Sequence, residues 1–200
     1  MRPDADTPRQ ERVSNPMTQT TDYGALLCDA LTASTKTDNL IPLLVDGLLV
    51  ITLGACSLGL ALPPLMHGYT AMALRIARGE TVAMGDSLKG FDHLGSSLVI
   101  GLLVVALAVV LSILPFIGTT AGLVLGTWVW CVHVDRPALG AVDTLKASFE
   151  LVRAHLVETL VVWGVGLALG ALLTVTVVGP VAALAYTTVV SALLYRRWSF

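Results

Sequence analysis

Charged residues are scarce in this sequence. They make up 13% of its 200 residues, against about 25% in a soluble domain, and none occurs between Asp92 and Asp135. At about 1.5 Å per helical residue, that interval is far too long for one crossing of a hydrocarbon core about 30 Å thick. Two crossings with a turn at Pro115 fit it well, so the interval predicts a membrane helical hairpin.

Cysteine pairs, enzyme motifs and an excess of basic charge are also missing. The three cysteines, Cys28, Cys56 and Cys131, are odd in number and far apart, which gives no support to a disulfide framework or a zinc site. No nucleophile elbow, phosphate-binding loop or dinucleotide fingerprint occurs, and the net charge of −2 gives no sign of nucleic-acid binding. We therefore expect a protein that is not an enzyme, has no cofactor or metal, and binds no nucleic acid.

What the sequence has in abundance is apolar length. Hydrophobic residues make up 55% of the chain, and two further apolar runs are broken by proline, at Pro63-Pro64 and at Gly179-Pro180. The pattern predicts an all-α integral membrane protein with six transmembrane helices, arranged as three hairpins joined by amphipathic interfacial helices. The predicted spans are residues 40–62, 65–78, 95–114, 116–134, 156–178 and 180–196, of which the second either crosses fully or re-enters the membrane.

The N-terminal segment is polar. Residues 1–38 contain no apolar run of the kind a signal peptide needs, and both Met1 and Met17 suit as a start. We expect the segment to be largely disordered apart from a short amphipathic helix over residues 22–33, which either lies on the membrane surface or stays in solvent. The membrane domain is expected to occupy residues 39–200.

Two polar connectors separate the predicted hairpins. In the second, residues 136–155, Pro137 suits a first helical turn, and apolar residues then recur at helical spacing, which predicts an interfacial helix. The predicted apolar face consists of Leu139, Val142, Leu145, Phe149, Val152 and Leu156. Asp86-Ser87-Leu88-Lys89 in the first connector matches Asp143-Thr144-Leu145-Lys146 in the second, a short internal repeat.

The basic residues all fall on one side of this layout. The hairpin tips carry no charge, and every lysine and arginine lies in the N-terminal segment, in a connector, at the C-terminus or at the end of a predicted span on that side. By the positive-inside rule, that side is cytoplasmic, so both termini are expected inside a bacterial inner membrane. Trp128, Trp130 and Trp198 fall toward the same side and are expected to be interfacial anchors.

Small residues recur at four-residue spacing on the predicted membrane helices. Such spacings let helix backbones approach closely, because lipid gives membrane helices no hydrophobic drive to associate. We interpret them as packing positions within the chain, with homodimerisation through one of these faces as the alternative. The positions are Ala55, Gly59, Gly118, Gly122, Gly126, Gly166 and Gly170.

Two carboxylates lie within the predicted spans. Asp46 is expected near the start of the first helix and Glu158 about a turn into the fifth, both close to the cytoplasmic face. They form either a candidate proton or ion site or ordinary interfacial side chains paired with basic groups.

The histidines are expected at that same face. With Asp135 they are candidate metal ligands, yet no two have the spacing of one helix face, so ordinary interfacial histidines are the prediction. They are His67, His93, His133 and His155.

The order of residues at the connectors resembles a known kind of bacterial membrane protein. It runs Pro63-Pro64, Gly68-Tyr69, Met72, Arg78-Gly79 and Leu88-Lys89-Gly90-Phe91, then Pro115, Asp135-Arg136-Pro137, Gly140-Ala141 and Leu145-Lys146-Ala147-Ser148. Over residues 40–197 the chain is similar to uncharacterised multi-pass proteins of the YciC-like kind, and to the membrane domain found beside some glycerophosphodiester phosphodiesterases. The resemblance implies a six-helix inner-membrane protein with no assigned activity. It carries over no catalytic residue, because the soluble phosphodiesterase domain is missing.

The functional prediction is a non-enzymatic scaffold or accessory subunit that packs with itself, with a membrane-protein partner or with lipid. A small-solute or lipid transporter is the alternative, because repeated units are common in transporters. The lack of a polar pair at mid-depth argues against that alternative.

Overall fold

A computed structural model describes residues 23–111, 117–173 and 178–199, and within these ranges the chain forms helices and turns without any strand. The α-helices are α1 (Tyr23–Thr35), α2 (Thr37–Cys56), α3 (Leu62–Ala77), α4 (Leu94–Leu111), α5 (Ile117–Asp135), α6 (Ala141–Ala154), α7 (Leu156–Leu173) and α8 (Val178–Trp198). A 3₁₀ helix, Asp86–His93, precedes α4. The all-helical character predicted from the sequence is confirmed.

The bundle is built around α3. This helix contacts α2, α4, α5, α8 and the 3₁₀ helix, and Leu65, Tyr69 and Ala73 are fully buried. A buried phenol needs an acceptor, and the Tyr69 hydroxyl donates to the carbonyl of Leu43 in α2 at 3.1 Å. With 16 residues, α3 is about 24 Å long, which is shorter than a hydrocarbon core of about 30 Å.

The first hairpin tip lies earlier in the chain than predicted. α2 ends at Cys56 and the turn occupies residues 57–61, whereas Pro63 and Pro64 stand at the start of α3. Proline suits a first helical turn because the N–H it lacks would have no partner there. The reversal is made by Leu58 and Gly59, whose φ angles are 52° and 88°. The predicted span 40–62 was therefore placed too late in the chain.

The proline of the third predicted tip also stands at the start of a helix. α8 begins at Val178, so Gly179 and Pro180 belong to its first turn. Residues 174–177 lie outside the described residues, as does the predicted second tip at Pro115.

Two helical stretches are long and apolar enough to cross a membrane in the described part of the chain, Asp38–Cys56 and Asp86–Leu111. A third candidate is the pair Ala141–Ala154 and Leu156–Leu172, which bends by 93° at its junction. Only 17% of the apolar window of Asp86–Leu111 is buried inside the protein. Its outer surface is thus apolar, which suits lipid better than water.

α6 buries a largely polar stripe of side chains against the bundle, while part of its apolar face is turned outward. The buried stripe has a spacing of four residues and consists of Thr144, Ser148 and Val152. Val142 and Phe149, which belong to the apolar face predicted for an interfacial helix, are 55% and 54% exposed. Pro137 lies in the turn before the helix rather than in its first turn. The outward apolar stripe keeps α6 suited to a membrane interface.

α1 occupies nearly the residues predicted for the N-terminal helix, and it is docked on the bundle. The Tyr186 hydroxyl of α8 donates to the carbonyl of Leu27 at 3.2 Å, and Ala30 is fully buried. Neither predicted placement, on the membrane surface or free in solvent, included this contact with α8. The expected disorder of residues 1–22 and the cap at Asp22 lie outside the described residues.

The short internal repeat has a structural counterpart. Asp86 and Lys89 form an ion pair at 2.6 Å, and Asp143 and Lys146 lie 3.7 Å apart at the same spacing of three residues. The residue after each aspartate, a serine in one connector and a threonine in the other, is fully buried. Both connectors therefore turn a small hydroxyl side chain inward and the lysine of the pair outward, whereas the aspartate is buried in the first connector and exposed in the second.

Candidate functional site

Two glycines allow the first connector to lie directly against α3. A Cβ atom added at Gly68 would be 1.9 Å from the carbonyl oxygen of Ser87, and one added at Gly90 would be 1.8 Å from the carbonyl oxygen of Pro64. No side chain fits at such a distance from backbone, so each position requires glycine. We call the surface formed by Pro64, Gly68, Ser87 and Gly90 the α3 junction.

A buried carboxylate fastens the connector to α2. Asp46 is fully buried, and its two oxygens accept backbone N–H groups from Gly85 at 2.8 Å and from Ser87 at 3.1 Å. Such charge-assisted hydrogen bonds offset the cost of removing a carboxylate from water. Because α2 begins at Thr37, Asp46 stands near the middle of its helix and not near the start, as the sequence had predicted.

An ion-pair network shapes the loop between α3 and the 3₁₀ helix. Arg75 donates to Glu80 at 3.0 Å, to Asp86 at 2.8 Å and to the carbonyl of Thr81 at 3.0 Å. Asp86 also accepts the backbone N–H of Ala83 at 3.1 Å. The Arg75 side chain is 38% exposed, so these pairs contribute little energy. Their effect is to fix the course of the loop that leads to the α3 junction.

Glu158 belongs to a different part of the molecule. It lies in the first turn of α7, where its carboxylate is 3.9 Å from Nδ1 of His155. Within the described residues, α2 and α7 make no contact. The structure therefore does not bring Asp46 and Glu158 together into one ion site, and proton or ion binding by either one alone stays a prediction.

Three histidines from separate elements meet beside the α3 junction. The ring centroid of His67 lies 5.0 Å from that of His93 and 4.8 Å from that of His133. His67 and His133 are buried, whereas His93 is exposed. In the described structure, Nδ1 of His67 and both ring nitrogens of His133 have no hydrogen-bond partner. Buried polar groups are normally paired, so this His cluster offers nitrogens that are open to a polar ligand.

The other predicted metal ligands lie elsewhere. His155 stacks on Trp198 with ring centroids 4.0 Å apart, and Asp135 pairs with Arg78 and accepts the Tyr195 hydroxyl, each at 3.1 Å. Over residues 23–111, 117–173 and 178–199, no three His, Cys, Asp or Glu side chains are placed to hold a metal ion.

Replacing His133 with phenylalanine is expected to raise the free energy of unfolding by about 1–2 kcal/mol. Phenylalanine keeps a planar ring and removes two buried nitrogens that have no partner. The measurement is the thermal unfolding midpoint of the purified protein in detergent. The partly exposed His155 provides the control, and His155→Phe should stay within about 0.5 kcal/mol of the unmodified protein. A marked loss of stability in H133F would contradict this prediction and show that the imidazole has a polar partner.

Two of the predicted packing glycines lie at close helix contacts. A Cβ atom added at Gly166 of α7 would be 2.6 Å from Cγ2 of Thr187 in α8, and one added at Gly126 of α5 would be 3.4 Å from Cγ1 of Val104 in α4. Gly166 thus permits the close approach of α7 and α8. The contact at Gly126 is looser, and a neighbouring side chain could adjust there.

At three of the remaining predicted packing positions, the structure shows no close helix contact of the kind found at Gly166. At Gly59 and Gly170 an added Cβ would meet nothing within 4 Å, and Ala55 is exposed, so close approach does not require a small residue at these places. Gly118 and Gly122 fall in α5, and their surroundings lie outside what the structure describes.

Sequence reasoning missed the glycines that make the tightest contacts. Gly68 and Gly90 do not share a four-residue spacing with another small residue in one helix. They were noted only as part of the residue pattern that resembles YciC-like proteins, and no packing role was predicted for them. Gly101 was also missed; a Cβ there would be 2.4 Å from Cγ of Pro63. Each of these contacts joins segments distant in sequence, and glycine carries no side chain that would mark its partner.

Trp128 was wrongly predicted to be an interfacial anchor. It is fully buried, its Nε1–H donates to the hydroxyl of Thr159 in α7 at 3.2 Å, and its ring centroid lies 4.7 Å from that of Trp198. An indole N–H that is buried needs such an acceptor. The side chain therefore helps to join α5 to α7 and to the end of α8.

The candidate site thus has two parts, the α3 junction fastened by Asp46 and the His cluster beside it. The first part holds the connector against the bundle, and the second presents open ring nitrogens. Comparison of the chain with protein-family models, with curated proteins and with solved structures finds no match to any of them.

Proposed function

We propose that this chain is a multi-pass protein of the bacterial inner membrane that acts as a non-enzymatic scaffold or accessory subunit, packing with itself, with a membrane-protein partner or with lipid. The observation that carries the proposal is the apolar outer surface of the helices. Leu102 and Val109 of α4 are 72% and 62% exposed, and Leu172 of α7 is 75% exposed. In water such extended apolar faces would drive aggregation, whereas in a bilayer they are solvated.

The role of Asp46 supports a structural function. Ionisable groups inside membrane helices usually serve substrates or ions. Asp46 is fully buried, and each of its oxygens accepts a backbone N–H group of the connector. The buried carboxylate is therefore explained by the fold.

Six membrane helices in three hairpins remain the layout we propose, with α3 as the short arm. The C-terminal ends of α3, α5 and α8 lie together: Arg78 pairs with Asp135 at 3.1 Å, and Arg196 donates to the carbonyl of Ala77. This arrangement supports a layout in which these ends share one side of the membrane. The positive-inside rule makes that side cytoplasmic and places both termini there.

The similarity to YciC-like proteins also stays part of the proposal. Three positions of the quoted connector pattern, Pro64, Gly68 and Gly90, belong to the α3 junction. Contact between backbones gives a physical reason for glycine at two of these positions.

Cysteine labelling is expected to place the first tip and the first connector on opposite sides of the membrane. Leu60→Cys and Thr81→Cys would be introduced after Cys28 and Cys56 are replaced by serine; both target positions are exposed. A membrane-impermeant maleimide should label L60C in spheroplasts and T81C only after permeabilisation. Cys131 is buried and should not react in either state. Labelling of both variants from one side would contradict the layout.

Affinity purification in a mild detergent, followed by mass spectrometry of proteins and lipids, tests the scaffold function. We expect a specific protein or lipid to be retained through the purification. A monodisperse protein that retains neither, yet moves a solute across liposome membranes, would refute the proposal.

A lipid transporter is the second candidate, favoured by an apolar cavity between α3, α4, α5, α7 and α8. Reconstituted protein should then accelerate the exchange of a fluorescent phospholipid between leaflets, which a scaffold would not do. Small-solute flux that Glu158→Gln abolishes would favour the small-solute alternative instead. Glu158 is the better position to test, because substitution of Asp46 would also disturb the fold.

A further inference from the structure

A cavity of about 580 Å³ lies between five helices, within the range of about 300–1,000 Å³ found for ligand pockets. Glycines and other small residues line it, so the helix axes approach while leaving space between the side chains. Gly101, Ala108, Gly126 and Ala183 are examples from three of the helices. The space is separate from the His cluster, none of whose members lines it.

The polar side chains on the α8 wall of the cavity are already satisfied. The hydroxyls of Thr187, Thr188 and Ser191 each donate to a carbonyl one turn earlier in their own helix, at 2.7, 2.7 and 2.8 Å. They therefore have no O–H left to offer to a ligand in this arrangement. An apolar space of this kind excludes water and accepts apolar molecules.

The rim of the cavity is apolar as well. Val105 of α4 and Leu167 of α7 line the space and are each 58% exposed, and Leu62 of α3 is 42% exposed. No charged side chain is found among the described lining residues. An occupant thus enters across the surface that faces hydrocarbon in the proposed membrane orientation, so this inference rests on the proposed function.

We propose that this cavity binds an acyl chain of a bilayer phospholipid. The chemistry of the walls fits a saturated or unsaturated hydrocarbon chain, and the bilayer supplies such chains at the apolar rim. Residues 1–22 are a poor alternative occupant, because that segment is rich in charged and polar side chains.

Photolabelling tests the proposal directly. The full chain would be reconstituted in vesicles of phosphatidylethanolamine and phosphatidylglycerol that contain a small fraction of phospholipid with a diazirine near the end of one acyl chain. We expect mass spectrometry to find the label concentrated on lining residues, including Trp163 and Thr187. Label spread evenly over the outer faces of α4 and α7 would overturn the proposal without any substitution being needed.

A matched pair of variants sharpens the test. Ala108 lines the cavity, whereas Ala106 of the same helix is exposed and does not line it. Ala108→Phe should lower cavity labelling by about tenfold, since filling the space displaces the chain, and Ala106→Phe should leave it unchanged. Equal labelling in the two variants would contradict the proposal.

Three further arms of the experiment distinguish a phospholipid chain from a free fatty acid, from the N-terminal segment and from a failure of membrane embedding. Labelling by a diazirine fatty acid but not by the phospholipid would overturn the choice of ligand. Labelling that appears only after residues 1–22 are removed would identify that segment as the occupant and also overturn it. Carbonate extraction of cell membranes tests membrane embedding by itself, so an embedded chain without cavity label refutes the lipid site and leaves the proposed function standing.

Discussion

Replacing Gly68 or Gly90 with alanine is expected to lower the free energy of unfolding by about 3 kcal/mol or more. The new methyl group would overlap the carbonyl oxygen of Ser87 at 1.9 Å or that of Pro64 at 1.8 Å. A carbonyl in a packed backbone cannot rotate away as a flexible side chain can, so the connector would have to move off α3. That movement would also strain the hydrogen bonds from the connector to Asp46.

Thermal unfolding in detergent, followed by tryptophan fluorescence, measures this effect. A loss of that size corresponds to about 6–12 °C in the midpoint for a chain of this length. Gly164 of α7 is the matched control, because an added Cβ there meets nothing within 4 Å. Gly164→Ala should raise stability by about 0.5–1 kcal/mol through the better helix propensity of alanine. If G68A and G90A behave like G164A, the α3 junction does not hold the connector.

Replacing Asp46 with alanine is expected to cost about 3 kcal/mol, because the N–H groups of Gly85 and Ser87 would lose their acceptors in a buried place. Asp46→Asn should fall between the alanine variant and the unmodified protein, since an amide keeps one acceptor oxygen and presents N–H groups to the second donor. The measurement is again the unfolding midpoint in detergent, with proteolysis of the connector as a second readout.

Asp143 provides the control for this series. This aspartate of the second connector has a side chain that is 65% exposed, and its ion pair is long, at 3.7 Å. Asp143→Asn should therefore change stability by no more than about 0.5 kcal/mol. An Asp46→Ala protein that unfolds like the unmodified one but loses ion-dependent flux would replace the structural role with an ion site.

Several elements of the fold could be predicted because they depend on local pattern. The apolar runs predicted helices, and the described part of the chain is largely helical; Pro63-Pro64 marked the neighbourhood of the break between α2 and α3. The exact turn was misplaced, because proline at the first position of a helix and proline in a loop look alike in sequence. The fold decides between them through the positive φ angles of Leu58 and Gly59.

The candidate site was less accessible to sequence reasoning. Asp46 was singled out, since a carboxylate in an apolar run is unusual, but its partners are backbone N–H groups, which every residue except proline carries. His67, His93 and His133 had been expected on one side of the membrane, yet their spacing gave no sign that the rings meet. In α6 the helical period was correct, but nothing in the sequence pattern marked Thr144 and Ser148 as buried side chains.

The sequence by itself determined that this chain is helical and contains stretches able to cross a membrane, because a long run without charge can satisfy its backbone in lipid only by forming helices. The tertiary structure alone decided which glycines allow one backbone to touch another, which carboxylate holds the connector and where an apolar cavity is left open. Those outcomes depend on contacts between segments that are distant in sequence. Every residue has a backbone, and a cavity contains no residue, so neither can be recognised from residue types alone.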